Sequence, residues 1–269
     1  MKRPLTILCT ALAVALAAHF SNCFAAEEPA AKPAAVGKYK LPEDPEAAVI
    51  VLDFKGGFTP PRISEEPTMT IRADGSVVIP AKFEGQKSFR GKISREELNE
   101  LLDFAIEENK FLEYDAAKVA EKLAAGGPRF AVADAATTVL KINVNGETKE
   151  ASHYALGMTR NVEELQRLFA IQQRLMQLQS VIQLGGQEQV KKWLAVVNTE
   201  LKAKFPDAPA LTLEDFNSGG ERGDGSIYAS FQRIVKGDDP AAPPSEVISG
   251  FVNKPAEGEP RINVNYRKS

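Results

Sequence analysis

The stretch of this sequence that comes nearest to a metal site is "DFNSGGERGDGS", Asp215–Ser226. Asp215, Asn217 and Gly219 stand at positions one, three and five of a calcium-type loop, and Gly220 at position six, where such loops turn sharply. Position twelve is Ser226, where a bidentate carboxylate is required, and the flanking text reads as strands, not helices. The spacing therefore predicts a flexible loop without a metal. Within it Arg222-Gly223-Asp224 forms a short adhesion-like string, and Arg222 and Asp224 are retained only as loop residues able to contact a partner.

The other chemistry-bearing residues lack partners. Glu65-Glu66, Glu96-Glu97 and Glu107-Glu108 set carboxylates side by side, but neighbours on a helix do not face each other, so these read as solvated faces and not as acid/base pairs. His153 lies on an expected strand, and the chain's other histidine lies in the N-terminal signal described below. Neither a multi-histidine metal site nor a Cys/His dyad can be assembled around it. No residue is nominated as catalytic, cofactor-binding or metal-ligating.

A second candidate interaction loop follows the first expected strand. In "VLDFKGGFTPP", Val51–Pro61, Gly56 and Gly57 admit dihedrals closed to other residues, Phe58 is apolar, and Pro60 and Pro61 stiffen the exit. A structural corner and a ligand loop are both written this way; the corner is the favoured reading. A phosphate cradle is disfavoured because no helix start or Lys-Ser/Thr follows the glycines.

These segments need a frame, and the N-terminus says where it is built. Lys2 and Arg3 precede an apolar run, Leu5–Phe20, too short to span a bilayer and followed by Ala25 and Ala26, which is the pattern of a secretory signal over 1–26. A lipid anchor on Cys23 is the competing reading, weakened by Phe20, Ser21 and Asn22 in place of small aliphatic residues. Both cysteines lie in the signal, so the mature chain holds no thiol and no disulfide. Removing Lys2 and Arg3 lowers the formal charge of -3 by two, and the remaining cations are dispersed among acids, which argues against nucleic acid. No further run of spanning length exists, so no membrane span is expected. The expected location is secreted or periplasmic.

Residues 27–45, rich in Ala, Pro and charge, read as a disordered linker. From about Ala47 the text is strand and turn: "AAVIVLDF", then "TMTIRADGSVVIP" alternating about Asp74-Gly75, then "AKFEGQKSFRGKI". Ser94 and Glu97 form a capping box before Leu98, Leu101, Leu102, Ala105 and Ile106, a helix ending near Asn109. A weaker helix is expected over Ala116–Ala124. "ATTVLKINVNGETKEASHYAL" reads as a hairpin turning at Asn145-Gly146. Asn161 and Glu164 suggest a second capping box, and the stripe Leu165, Leu168, Ile171, Leu175, Leu178, Ile182 predicts a long helix ended by Gly185. Val190, Trp193, Leu194, Val197 and Leu201 share the face of the next helix. Strands are then expected at "LTLEDF", "SIYASFQRIV", "SEVISGFV" and "RINVNYRK".

The fold class is therefore α+β, with antiparallel sheets and packed amphipathic helices, divided at Gly185-Gly186 into an N-terminal domain, 46–184, and a C-terminal domain, 187–269. One helix followed by four antiparallel strands looks cystatin-like, by element order alone. The strand, the GGF-x-P corner and the DG hairpin resemble an uncharacterised type of exported bacterial domain over about residues 47–178; the resemblance implies a fold and no activity. Two functions from different classes remain. The favoured one is a non-catalytic exported module that needs no cofactor and binds a protein or another envelope component. The alternative is a hydrolase whose Asp, Glu, Ser or Lys residues converge only on folding.

Overall fold

In the computed structural model the described residues are 38–125, 132–158, 162–235 and 243–268. The signal segment with both cysteines, most of the linker and Asn161 lie outside them.

The first strand, β1 (Ala48–Gly56), is apolar on both faces because it is central. It pairs antiparallel with β2 (Met69–Arg72) on one side and β5 (Ala136–Val144) on the other, setting Leu52 between Met69 and Leu140. With β3 (Ser76–Ile79), β4 (Phe89–Lys92) and β6 (Glu147–Tyr154), these strands make a six-stranded antiparallel sheet in the order β4-β3-β2-β1-β5-β6. Asn145 (φ 56°) and Gly146 (φ 79°) form the tight turn between β5 and β6. At the β2–β3 turn only Gly75 takes a positive φ; the Asp74 carboxylate instead accepts the Ser76 N–H at 2.8 Å.

Helix α1 (Arg95–Asp103) starts at the expected capping box: Ser94 Oγ accepts the Glu97 N–H (3.1 Å) and Glu97 Oε2 accepts the Ser94 N–H (2.7 Å). Leu98 and Leu102 are fully buried under it. The helix runs on as a π-helical turn, Phe104–Glu108, closed by Asn109. Helix α2 (Ala116–Ala125) follows. Helix α3 (Glu163–Gln183) begins without a side-chain cap at Val162 and buries Leu165, Leu168, Ile171 and Leu175 in the first core.

Helix α4 (Gln187–Lys204) packs on the second sheet, a meander in the order β10-β9-β8-β7 built from β7 (Phe216–Glu221), β8 (Ile227–Val235), β9 (Glu246–Lys254) and β10 (Arg261–Lys268). Trp193, Val197, Leu201, Phe231, Ile248 and Val252 form its core. The architecture is thus α+β, ending in a helix followed by a four-stranded antiparallel sheet, as the apolar patterning predicts.

The described residues belong to one compact unit containing two hydrophobic clusters. Helix α3 serves both: Ile182 packs against the first, while Val181 and Leu184 pack into the second.

Two local expectations are corrected. Ordered packing starts before Ala47: Tyr39 is 4% exposed in the first core, and Lys40 exchanges hydrogen bonds with Asn145, Oδ1 accepting at 2.9 Å and Asn145 N–H donating back at 2.7 Å. One aromatic ring outweighs the linker-like composition around it. "LTLEDF" is not a strand; Leu213–Asp215 is a 3-10 turn, and the strand is the glycine-containing Phe216–Glu221, where the residue types predict a loop. Glycine is used there because α3 comes so near that a Cβ on Gly219 would lie 2.4 Å from Leu184 Cδ1.

Candidate functional site

The end of β1 rises into the GGF-x-P corner, which is tied down at three points. Gly57 takes φ 82°, with its Cα so close to β5 that a Cβ would lie 3.2 Å from Ala136 N. Phe58 N–H donates to Asp134 O at 3.0 Å, and Arg62 Nη2 donates to Phe54 O. The corner leaves Phe58 92% exposed.

Beneath the segment that follows it lies a buried ion pair. Asp53, the one carboxylate in β1, is 3.6 Å from Lys82 Nζ, with each residue under 10% exposed. Asp53 Oδ1 also accepts the N–H and Oγ1–H of Thr68, both at 3.2 Å. Lys82 donates besides to the carbonyls of Ser64 and Glu66. Lys82 thus ties the carbonyls of Ser64 and Glu66 to Asp53 of β1, and the pair pins residues 62–68 to the sheet.

The loop between β3 and β4 is self-braced, Gln86 Oε1 accepting the N–H groups of Lys82 (3.0 Å) and Phe83 (3.3 Å). Across from it stands the turn between β7 and β8. Lys87 forms an ion pair with Glu221, and Gly223 lies against Gly85 so that a Cβ would come within 2.2 Å of the Gly85 carbonyl. Within that turn Asp224 Oδ1 accepts the Ser226 N–H at 2.8 Å; the Ser226 side chain and N–H hold the Asp224 carboxyl below its ordinary range. Asp224 is therefore a turn cap. The Arg222 guanidinium stacks 4.7 Å above the Tyr228 ring.

These loops enclose a cleft of ≈ 820 Å³ between the ends of the two sheets. The structure brings Gly56 and Arg222, two of the five residues singled out from the sequence, into its lining; Gly57, Phe58 and Asp224 do not line it. Its ionisable lining is Arg62, Lys82, Lys87 and Arg222 against Glu221, so a chain of net charge -3 presents a cationic cleft. Helix α3 contributes Gln179 and Gln183, one turn apart, both half-buried and neither amide hydrogen-bonded among the described residues. Sequence reasoning missed Asp53, Lys82 and both glutamines. The signals were a lone carboxylate inside "VIVLDF" and two polar residues spaced by four beside the end of an apolar stripe.

The dismissed calcium loop has a different use for its first residue. Asp215 is 8% exposed; burial pushes its carboxyl up, but hydrogen bonds from Arg233, whose Nε is 2.9 Å from Oδ1, and from Thr212 outweigh this and hold it below the usual carboxylate range. No group of three or more His, Cys, Asp or Glu residues suited to a metal occurs among the described residues. His153 is half-buried on β6. Near the other end of the first sheet the Tyr39 hydroxyl is pushed up to about 12, first by burial and then by its 2.7 Å bond to Asp103. No helix among the described residues is long and apolar enough to cross a membrane.

Compared with protein-family models, with curated proteins and with solved structures, the chain gives no match.

Proposed function

We propose that this chain is an exported, non-catalytic binding module of the cell envelope whose ligand is held in the cleft between the two sheets. What carries the reading is the composition of that cleft: Lys82 and Lys87 are paired with Asp53 and Glu221, leaving the two arginines Arg62 and Arg222 as its surplus charge, with two glutamine amides on α3 that have no hydrogen-bond partner among the described residues, in an otherwise acidic chain. The hydrolase alternative finds less support, because the buried groups best placed for acid/base work, Asp53 and Lys82, are already spent on Thr68 and on the carbonyls of the 62–68 segment. Export itself is supported by the Lys2–Ala26 pattern; the intact mass of the mature protein should begin near Ala26 or Glu27, and retention of a lipidated Cys23 would contradict it.

The binding reading is tested in cells by replacing Thr59, exposed on the cleft lining, with photoreactive benzoylphenylalanine, and by placing the same group at Lys202 on α4, outside the cleft, as a control. A discrete covalent adduct from position 59 and none from position 202 is expected. The same adducts from both positions, or none from either, would overturn the reading.

A further inference from the structure

The lining of the cleft says more about its occupant than that it is anionic. Of the four cations, Lys82 is committed to Asp53 and Lys87 to Glu221, whereas Arg62 and Arg222 make no salt bridge among the described residues, Arg222 feeling the Asp224 carboxylate only at longer range. Arg62 spends one N–H on Phe54 O, and Arg222 is oriented by Tyr228 and by a 3.4 Å contact to Ser226 Oγ. Each guanidinium keeps donors in the fork geometry that matches a carboxylate.

Gln179 and Gln183 add a different chemistry. Each amide offers a donor and an acceptor, the complement of a peptide group, and their separation by one helical turn lets both reach the same extended strand. Phe83 and Phe89 supply apolar wall. An extended chain presents successive side chains to opposite sides, so acidic residues on one side and apolar residues on the other would meet the arginines and the phenylalanines in turn. The volume falls within the roughly 300–1,000 Å³ of ligand pockets, room for a few residues of extended chain and too little for a folded domain.

We infer that the cleft binds a short extended peptide segment with alternating acidic and apolar side chains, its carboxylates held by Arg62 and Arg222 and its backbone by Gln179 and Gln183. This rests on the cleft being the binding site proposed above. If the position-59 crosslink forms but acidic peptide does not bind, the inference alone falls; if neither is seen, the binding reading falls with it.

The test is fluorescence polarisation on the full mature chain with a labelled, N-acetylated hexapeptide alternating Glu and Leu, beside counterparts alternating Lys and Leu or Gln and Leu. The acidic peptide should bind about tenfold or more tightly than either counterpart and weaken as NaCl rises from about 50 to about 500 mM. Arg222→Gln and Arg62→Gln should each weaken it about tenfold, Arg222→Lys less, and Gln183→Ala measurably, while Lys202→Gln leaves it unchanged. Thermal melts of each variant separate lost binding from lost fold. Equal binding of the three peptides, affinity indifferent to both arginine substitutions in folded protein, or full displacement by millimolar inorganic phosphate, which would mark a simple anion site, would each overturn the inference.

Discussion

Leu184 and Gly219 meet so closely that any side chain at 219 would force a shift: a Cβ there would lie 2.4 Å from Leu184 Cδ1 and 3.0 Å from the Tyr228 carbonyl. On the facing edge, a Cβ on Gly91 would lie 2.9 Å from Ile182 Cγ1. The last turn of α3 is thus seated against β4 of one sheet and β7 of the other, and this contact sets the spacing of the cleft walls.

Gly219→Ala should therefore cost about 1–3 kcal/mol, since the obstruction is partly backbone and cannot simply rotate away. Thermal denaturation measures it. A melting temperature equal to that of the parent chain would show that the α3–β7 contact is looser than described.

The Asp215–Arg233 pair predicts a pH dependence. The folded carboxyl is held below its unfolded value, so the stability it contributes is complete above the unfolded value, about 4, and is lost as pH falls through the folded one. Arg233→Gln should destabilise by about 2–3 kcal/mol at neutral pH, leaving Asp215 buried without its guanidinium. The penalty should shrink in acid, as measured by urea titration at several pH values; a penalty constant from pH 7 to pH 3 would contradict this account.

Lys82→Met should release residues 62–68 while leaving Asp53 buried and unpaired, at a cost of about 3–5 kcal/mol. Limited trypsin digestion should then cut after Arg62 sooner than in the parent chain. Unchanged resistance at that bond would mean that the corner, and not Lys82, holds the segment.

How much of this was legible in advance follows from the range of each interaction. Periods of two and three to four residues are local, so the alternation of Ile262, Val264 and Tyr266, the stripe of α3 and the Ser94–Glu97 box could be read directly from the sequence. Asp53 and Lys82 meet across 28 intervening residues and a sheet, and nothing local pairs them. The segment around Gly219 and Gly220 misleads because glycine marks a loop when the backbone must turn and a strand when a neighbour must come close, and only the position of Leu184 distinguishes the two. Tyr39 shows the converse, a buried ring that, with Leu41 packed beside the core and the Lys40–Asn145 hydrogen bonds, anchors a stretch whose composition is that of a linker.

The division at Gly185-Gly186 is a proposal that the two clusters fold separately. A fragment from Gln187 to Ser269 keeps Trp193 and the second sheet but lacks Val181, Leu184 and the Gln177 Nε2 bond to Phe216 O (2.7 Å). It should melt cooperatively with Trp193 buried, and a fragment beginning at Arg174 should be more stable by about 2–4 kcal/mol, the cost of losing a buried leucine with its neighbours. Solvent-exposed tryptophan emission and no transition in either fragment would show one indivisible unit.

The central claim, that the ligand lies between the two sheets, is tested most directly by backbone amide chemical shifts of the isotopically labelled mature chain, titrated with the partner recovered from the position-59 adduct. The account predicts shifts at Gly56, Gln86, Gly220 and Tyr228, on both walls of the cleft, with α4 and β10 unmoved. Shifts confined to the outer edge strands β6 or β10, with those four amides unchanged, would contradict it.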